Sequence, residues 1–416
     1  MVTTPATADF DNLPAWLSHL ESLHPKDIEL GLERVQSVYN QLALNFSSSK
    51  VILIAGTNGK GTSCHLMQQI LTAHGYSVGC YNSPHISDYR ERVTLNTDWF
   101  SEQQHCQAFA AIEQARGETP LTYFEFGTLA AIYLLAQAKP DFILLEVGLG
   151  GRLDATNIVE PDLSVITTID LDHQDWLGTN REVIGFEKAG IFRTKGLAVC
   201  GDLNPPDTVK QQALEKQLNI VWQQQDFHYQ VEADTWSWQG QKSEFNHCIK
   251  PNMPLQNAST VLACFEQLNI RLNTDTVNQC FKSFQLAGRW QQIAHSPNVI
   301  IDVAHNPESI RFMREKLNQT QCSGKKIAVF GMLKDKDIKT VVESIKDSFE
   351  LWLLADINQP RGAKATDLAE YLPKNAQVEC FGSIEQAYQA AQQQASADDL
   401  IVVFGSFWVI TDILTD

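Results

Sequence analysis

The run Gly56-Thr57-Asn58-Gly59-Lys60-Gly61-Thr62 places three glycines, one lysine and two hydroxyls within seven residues. Glycines let backbone N–H groups turn toward an anion, and Lys60 adds a full positive charge. This is the chemistry of a phosphate cradle. The longer pattern G-x-x-x-x-G-K-[ST] is not met. Ile54 stands at its first glycine, and Gly61 separates Lys60 from Thr62. Other polar residues fall where a ligand of an open parallel sheet is reached, just past apolar strand runs. They are Ser83, Glu146, Asp170, Asp172 and His173. A nucleoside triphosphate comes with Mg²⁺, which takes hard oxygen ligands and keeps several waters. Glu146, after Phe142-Ile-Leu-Leu145, has the position of the acid that holds that ion. Asp302 and His305, in Asp302-Val-Ala-His305-Asn306-Pro307, end another strand and point at a site; an Asn-Pro turn is the plain alternative. Asp175-Trp-Leu-Gly178 matches the D-x-x-G of GTP switches, but no N-K-x-D follows. Gly148-Leu-Gly150-Gly151 does not make G-x-G-x-x-G.

The elements that must position these groups alternate. Val51–Ala55 reads as a buried strand, and the helix after the loop carries Leu66, Met67, Ile70 and Leu71 on one face, with Gly75 as its stop. Strands follow over Ser77–Tyr81, Asp141–Val147, Leu163–Ile169 and Ala198–Gly201, with helices between. One of these helices carries Glu187 and Lys188. Before the loop, Asn12–Leu44 reads as two amphipathic helices around a break at Leu23-His24-Pro25. The second carries Ile28, Leu32, Val35 and Val38, with Arg34 on its polar side. Residues 222–250, with Trp222, Trp236 and Trp238, read as a small antiparallel excursion. Helices resume over Asn257–Phe284, and Gly288-Arg289-Trp290 is a junction. Beyond it strands and helices alternate again to a short terminal helix. The fold class is α/β: an N-terminal P-loop ATPase-type parallel-sheet domain and a smaller C-terminal Rossmann-like domain.

The chain has 416 residues, a net charge of −17, 44% hydrophobic and 19% charged residues. That length suggests more than one domain. The negative charge argues against nucleic acid or an anionic membrane as partner. An anionic substrate must then be held by local donors. Nine cysteines form no C-x-x-C pair, so they read as reduced thiols of a cytoplasmic protein. Residues 1–10 lack the basic and apolar regions of a signal peptide, and no apolar run reaches membrane-spanning length.

Eight segments together carry a family resemblance. They are GTNGKGT (56–62), YNSPH (81–85), LTYFEFG (121–127), LLEVGLGGRLDATN (144–157), IDLDHQDWLG (169–178), FEKAGIF (186–192), DVAHNP (302–307) and GMLKDKD (331–337). In this order they resemble the dihydrofolate synthase/folylpolyglutamate synthase family of the Mur ligase superfamily, most of all its bifunctional bacterial members. The resemblance implies an ATP-dependent ligase. A substrate carboxylate takes the γ-phosphoryl group of ATP, and the acyl phosphate is attacked by the amine of L-glutamate. Dihydropteroate and reduced folates are the implied acceptors. Residues 1–287 would be the ATP-binding Mur-type domain with the folate pocket, and 288–416 the glutamate-ligase domain. The protein is expected to act as a monomer.

Carried over residue by residue, the resemblance implies that Gly56, Thr57, Asn58, Gly59, Lys60, Gly61 and Thr62 bind ATP, with Thr62 also at Mg²⁺. Ser83, Glu146 and His173 resemble metal ligands, His173 at a second Mg²⁺. Lys188 resembles a lysine that the superfamily carbamylates. Lys60, His173 and Lys188 are the implied catalytic residues. Asn257, Arg289, Asp302 and His305 match positions that hold ATP. Thr122, Phe124, Asp154 and Ala155 resemble the dihydropteroate pocket. Two departures stand out: Phe186 where the family has a small or basic residue, and Trp408 where close relatives have histidine. Two other readings compete: a Mur-type ligase acting on a cell-wall precursor, and an NTP-driven switch without synthetic activity. Thr122-Tyr-Phe124 favours folate over both.

Overall fold

The computed structural model describes residues 10–24 and 29–414. Pro25 and Ile28, expected at the break and in the second helix, lie outside them. Among the described residues no helix is long and apolar enough to cross a membrane. The chain forms two compact units. The first holds the residues up to Leu171 and then Leu177–Phe284; the second holds Asp172–Trp176 and the residues from Gln285 on.

The first unit is built on eight strands: β1 (Lys50–Ala55), β2 (Val78–Tyr81), β3 (Val93–Leu95), β4 (Asp98–Trp99), β5 (Phe142–Glu146), β6 (Leu163–Ile166), β7 (Leu197–Cys200) and β8 (Asn219–Trp222). Their order is β4-β3-β2-β5-β1-β6-β7-β8. β2, β5, β1, β6, β7 and β8 are parallel, and the β3–β4 hairpin extends one edge antiparallel. The parallel strands are continuous apolar runs because helices cover both faces. Ile52, Leu53, Ile54 and Ala55 are each 0% exposed. β1 lies between β5 and β6, where the order of connection reverses, so its carboxyl end opens at the sheet's switch point.

Three expectations are corrected. β3 and β4 were not foreseen, because three and two residues are too short to show a period. Trp222 does not open the antiparallel excursion; it ends β8 at the edge of the main sheet. The excursion itself is β9 (His228–Val231), β10 (Thr235–Gln239) and β11 (Glu244–Ile249), with Trp236 and Trp238 both buried on β10. The helix with Val35 and Val38 runs Glu33–Leu42, so Leu32 is its cap rather than an internal residue.

The second unit has β12 (Gln291–His295), β13 (Asn298–Asp302), β14 (Lys326–Phe330), β15 (Leu351–Ala355), β16 (Gln377–Phe381) and β17 (Leu400–Phe404), in the order β12-β13-β17-β14-β15-β16. All but β12 are parallel. Its core gathers Phe330, Phe349, Trp352 and Phe404, with ring centroids 5.0–6.2 Å apart. Trp352 is 1% exposed and touches the other three rings. Trp352→Ala should therefore cost about 3–5 kcal/mol in urea unfolding. A loss under about 1 kcal/mol would mean that the remaining rings close the cavity.

Candidate functional site

The phosphate loop joins β1 to the helix Lys60–Ala73. Gly59 caps that helix with φ +82°, a left-handed value that an L side chain resists. A Cβ there would also overlap the side-chain amide of Asn257. Asn257 is 3% exposed and stands in the first turn of the helix Leu255–Gln267. The fold thus brings Asn257 onto the loop from two hundred residues downstream. The turn after β6 laces the other side. Thr57 N donates to Thr168 O at 2.7 Å, Asn58 N to Thr168 Oγ1 at 3.2 Å, and Thr167 Oγ1 to Asn58 O at 2.6 Å. The Thr57 hydroxyl accepts from Asp170 N and donates to Asp170 O, both at 3.0 Å. Lys60 Nζ folds back on the carbonyls of Gly56 (3.0 Å) and Thr57 (3.4 Å). These bonds hold the lysine over its own loop. Thr167 and Thr168 were missed in the sequence; the only signal was a polar pair ending an apolar strand.

Glu146 ends β5 and is 6% exposed. Its Oε2 accepts from Ser83 N at 3.2 Å. A Cβ built on Gly61 would stand 3.3 Å from the same oxygen. The acid, Ser83 and the loop therefore share one place, with Thr62 buried in the first turn of the helix. Among the described residues no three His, Cys, Asp or Glu side chains form a metal cluster. One carboxylate beside hydroxyls at a phosphate cradle is the donor set that suits Mg²⁺ carried on phosphate oxygens. Lys188 lies in the last turn of the helix Arg181–Ala189 and is 3% exposed. The carboxylate of its neighbour Glu187 is held by Arg152 at 2.9 Å.

The four residues expected around dihydropteroate all lie in the first unit. Thr122 caps the helix Tyr123–Ala138, accepting from Glu125 N at 3.2 Å. Phe124 packs its ring on Gly148 and lies 6.4 Å from the Tyr81 ring. Asp154 is buried. Its Oδ1 accepts from Thr156 N (2.9 Å) and Thr156 Oγ1 (2.6 Å), and its Oδ2 from Leu149 N (2.8 Å). Burial pushes its carboxyl above the ordinary value, against those bonds. Asp154 thus folds the 148–156 loop, and Ala155 is buried beside it. Close by, and not foreseen, Arg92 Nε donates to His85 Nδ1 at 2.8 Å. Its guanidinium lies over Tyr89 and Tyr123 at 5.4 and 5.6 Å. Burial, then Arg92, lower His85 to about 4, so it is neutral at pH 7.

In the second unit Asp302, Arg289 and His305 do come together. Asp302 ends β13, and its oxygens accept from Trp290 N and Ala304 N, both at 2.8 Å. Arg289 lies over the Phe407 ring at 5.2 Å. Burial raises the Asp302 carboxyl, opposed by Arg289. His305 Nδ1 donates to Val303 O at 2.8 Å, and its Nε2 stands 3.9 Å from Asp172 Oδ2. Burial, then Lys336, lower His305 to about 4. His173 has φ +50°, unusual for a side-chain-bearing residue, and its Nε2 is also 3.9 Å from Asp172 Oδ2. Lys336 Nζ, which the sequence reading did not single out, reaches Asp172 Oδ1 at 2.6 Å.

Two family models match the chain. The Mur ligase middle domain covers residues 54–270, and the Mur ligase glutamate ligase domain covers 288–407. With the phosphate loop and its acid, these matches define a ligase of the Mur type. The dihydrofolate synthase/folylpolyglutamate synthase of Escherichia coli (strain K12) is 42% identical over 402 residues, 97% of this chain and 94% of that one. That of Haemophilus influenzae is 40% identical, covering 96% of each. A solved structure of E. coli FolC in complex with DHPP and ADP superposes with a TM-score of 0.93, at 42% identity and 97% of both chains. A bifunctional folylpolyglutamate synthase/dihydrofolate synthase with Mn, AMPPNP and L-glutamate bound gives 0.91 at 42%, covering 98% of this chain and 99% of that one. The chain belongs to the dihydrofolate synthase/folylpolyglutamate synthase family.

Asp172 makes a pH test of the second unit. Burial pushes its carboxyl up, but Lys336, His173 and His305 together hold it below the ordinary carboxylate range. A depressed carboxyl stabilises the fold above its unfolded value of about 4, and that stability is lost as pH falls through the lower folded value. Lys336→Met leaves a buried carboxylate without its main cation. The variant's Tm should therefore lie furthest below wild type at about pH 7 and converge on it below about pH 4. A Tm difference that stays flat on acidification would show that Lys336 does not hold Asp172.

Proposed function

We propose that the protein is an ATP-dependent ligase that adds L-glutamate to 7,8-dihydropteroate, giving dihydrofolate, and to the glutamate tail of reduced folates. The observation that carries this is the buried Glu146 carboxylate, bonded to Ser83 N at the mouth of the glycine loop. A carboxylate oxygen of the acceptor attacks the γ-phosphorus of ATP, and the bond to ADP breaks. The glutamate amine then attacks the acyl carbon of this acyl phosphate; phosphate leaves, the amine gives up its proton, and an amide remains. Little covalent work falls to the protein. Its groups hold the reactants and meet the charge that develops.

Within the loop Gly56–Thr62, Lys60 and the amides at the start of the helix hold the phosphates, with Asn257 closing over Gly59. Thr62, Ser83 and Glu146 hold Mg²⁺, which when bound neutralises charge on the phosphate oxygens. Arg289, Asp302 and His305 are further nucleotide contacts, and His173 a ligand of a second Mg²⁺. Phe124 supplies a flat apolar wall to the pteroyl group, with Thr122 and the Asp154–Ala155 turn beside it. The second unit serves the glutamate side. The nine cysteines, none of them in a disulfide, suit a cytoplasmic enzyme, which works as a monomer. A cell-wall ligase is not favoured, since the relatives named above are folate enzymes. Lys60→Ala should lower kcat by about 10²-fold or more with both acceptors, and Glu146→Ala should depress both ligations together. A Lys60→Ala enzyme that keeps more than about half of wild-type kcat at saturating ATP would remove the lysine from the chemistry.

Lys188 carries a carbamate in this reading. A buried ammonium is costly, and beside a cation it would repel. The neutral amine adds to CO₂ and gives up one proton to water, leaving a carbamate anion with two oxygens, which suits a hard ion. Lys188→Ala should be inactive and partly restored by a short carboxylic acid at high concentration. Labelled bicarbonate should give a ¹³C carbamate signal in the wild type that the variant lacks. Active wild-type protein with no such signal, and no rescue, would leave Lys188 as a plain cation.

A further inference from the structure

A carboxylate buried in a helix's first turn needs a cation or several donors to offset its lost hydration. Glu125 is such a group: it lies in the first turn of the helix Tyr123–Ala138 and is 4% exposed. Its Oε2 accepts from Thr122 N at 2.8 Å, which completes the capping box begun by the Thr122 hydroxyl. Its Oε1 accepts from Arg34 Nη2 at 3.0 Å. Arg34 comes from the helix Glu33–Leu42, 91 residues upstream. The same guanidinium donates through Nη1 to Glu29 Oε1 at 2.9 Å and through Nη2 to Glu29 O at 3.1 Å.

The box closes through Thr122 Oγ1 and Glu125 Oε2, which leaves Glu125 Oε1 for a further partner. The arginine is that partner, and it meets the buried carboxylate from a second element. Its Nη2, bonded at the same time to Glu29 O, holds Glu125 Oε1 from the far side and so helps to fix the direction in which the helix starts. Thr122, Tyr123 and Phe124 ride on that start. Phe124 is half-buried, with its ring directly on Gly148. A tilt of the first turn would lift the ring from that contact and open the wall it forms.

We infer that Arg34 is a positioning residue for the acceptor pocket: through Glu125 it sets the turn that carries Thr122 and Phe124, without touching the substrate. The inference rests on the reading above that Thr122 and Phe124 line the pteroyl pocket. It predicts that Arg34 acts on binding of one substrate and leaves phosphoryl transfer alone.

Steady-state kinetics of the full chain separate the cases, with thermal melts to confirm folding. The variants are Arg34→Met, Arg34→Lys, Glu125→Gln and Phe124→Ala, assayed with dihydropteroate and with a reduced folate. Arg34→Met should raise KM for dihydropteroate by about tenfold to a hundredfold, with kcat and KM for ATP within about twofold of wild type. Arg34→Lys should recover part of the loss, since lysine restores the charge but not the fork. The Arg34→Met/Glu125→Gln double variant should be no worse than Arg34→Met alone, because both cut one link. An unchanged KM in Arg34→Met beside a raised KM in Phe124→Ala overturns the inference while keeping the pocket. So does a fall in kcat with both acceptors and a rise in KM for ATP, the mark of general damage. If Phe124→Ala leaves KM for dihydropteroate unchanged, the pocket reading fails and the inference falls with it. Should Arg34→Met not fold, Glu125→Gln carries the same test with the same outcomes.

Discussion

Backbone amides bind an anion only if something else fixes the loop that carries them. In this protein the turn after β6 does so. Thr57 N and Asn58 N are taken up by Thr168, and the Asn58 carbonyl by Thr167. The first intrahelical bond nearby runs from Ser63 N to Gly59 O. The amides between belong to the helix's first turn, where no helical carbonyl accepts them. The loop therefore spends its outer donors on the neighbouring strand and turns the helix start toward the ligand. A second tier fixes that turn: Ile169 N donates to Asp202 at 2.6 Å, and Arg181 bridges Ile169 O and Asp202. Without this scaffold the glycines that permit the cradle would equally permit its collapse.

The second unit shows two acids with opposite electrostatics. Asp302 spends its oxygens on backbone amides, and burial leaves its carboxyl raised. One of those amides belongs to Trp290, which has φ +40°. Asp302 thus holds a strained turn in place, and that turn presents the neighbouring Arg289. Asp172 instead faces Lys336 and two histidines, and its carboxyl is lowered. The first acid shapes the chain; the second is held by one lysine beside two histidines.

What the sequence revealed depended on the range of each interaction. Parallel strands such as Phe142–Glu146 and Leu400–Phe404 were legible because both faces are buried and the run is apolar throughout. The phosphate loop was legible because its chemistry is local, from Gly56 to Thr62. Its lacing was not, since Asn58 and Thr168 stand 110 residues apart. Lys336 escaped for the same reason, with its partner Asp172 lying 164 residues away. β3, β4 and β12 escaped because short or edge strands show neither an apolar run nor a clear period. The residues that resemble a pteroyl pocket were found as a group. The structure adds that two of them, Thr122 and Asp154, already use their side chains to cap a helix and fold a loop.

That double use bears on how the protein would hold its ion. In the proposed site Thr62, Ser83 and Glu146 would supply hard oxygen donors, with Glu146 the one carboxylate among them. Mg²⁺ gives up its waters reluctantly and wants near-octahedral geometry. One carboxylate and two hydroxyls do not satisfy that demand alone. Glu146 Oε2 also accepts from Ser83 N, which fixes the direction in which the carboxylate faces an ion. The missing donors must be phosphate oxygens and water. In such a site the ion and the nucleotide bind as a unit, each raising the affinity for the other, as linkage requires. The protein then needs no dedicated metal cage. It needs a cradle of fixed shape with a single acid at its mouth, and that is what Thr167, Thr168 and the end of β5 together provide.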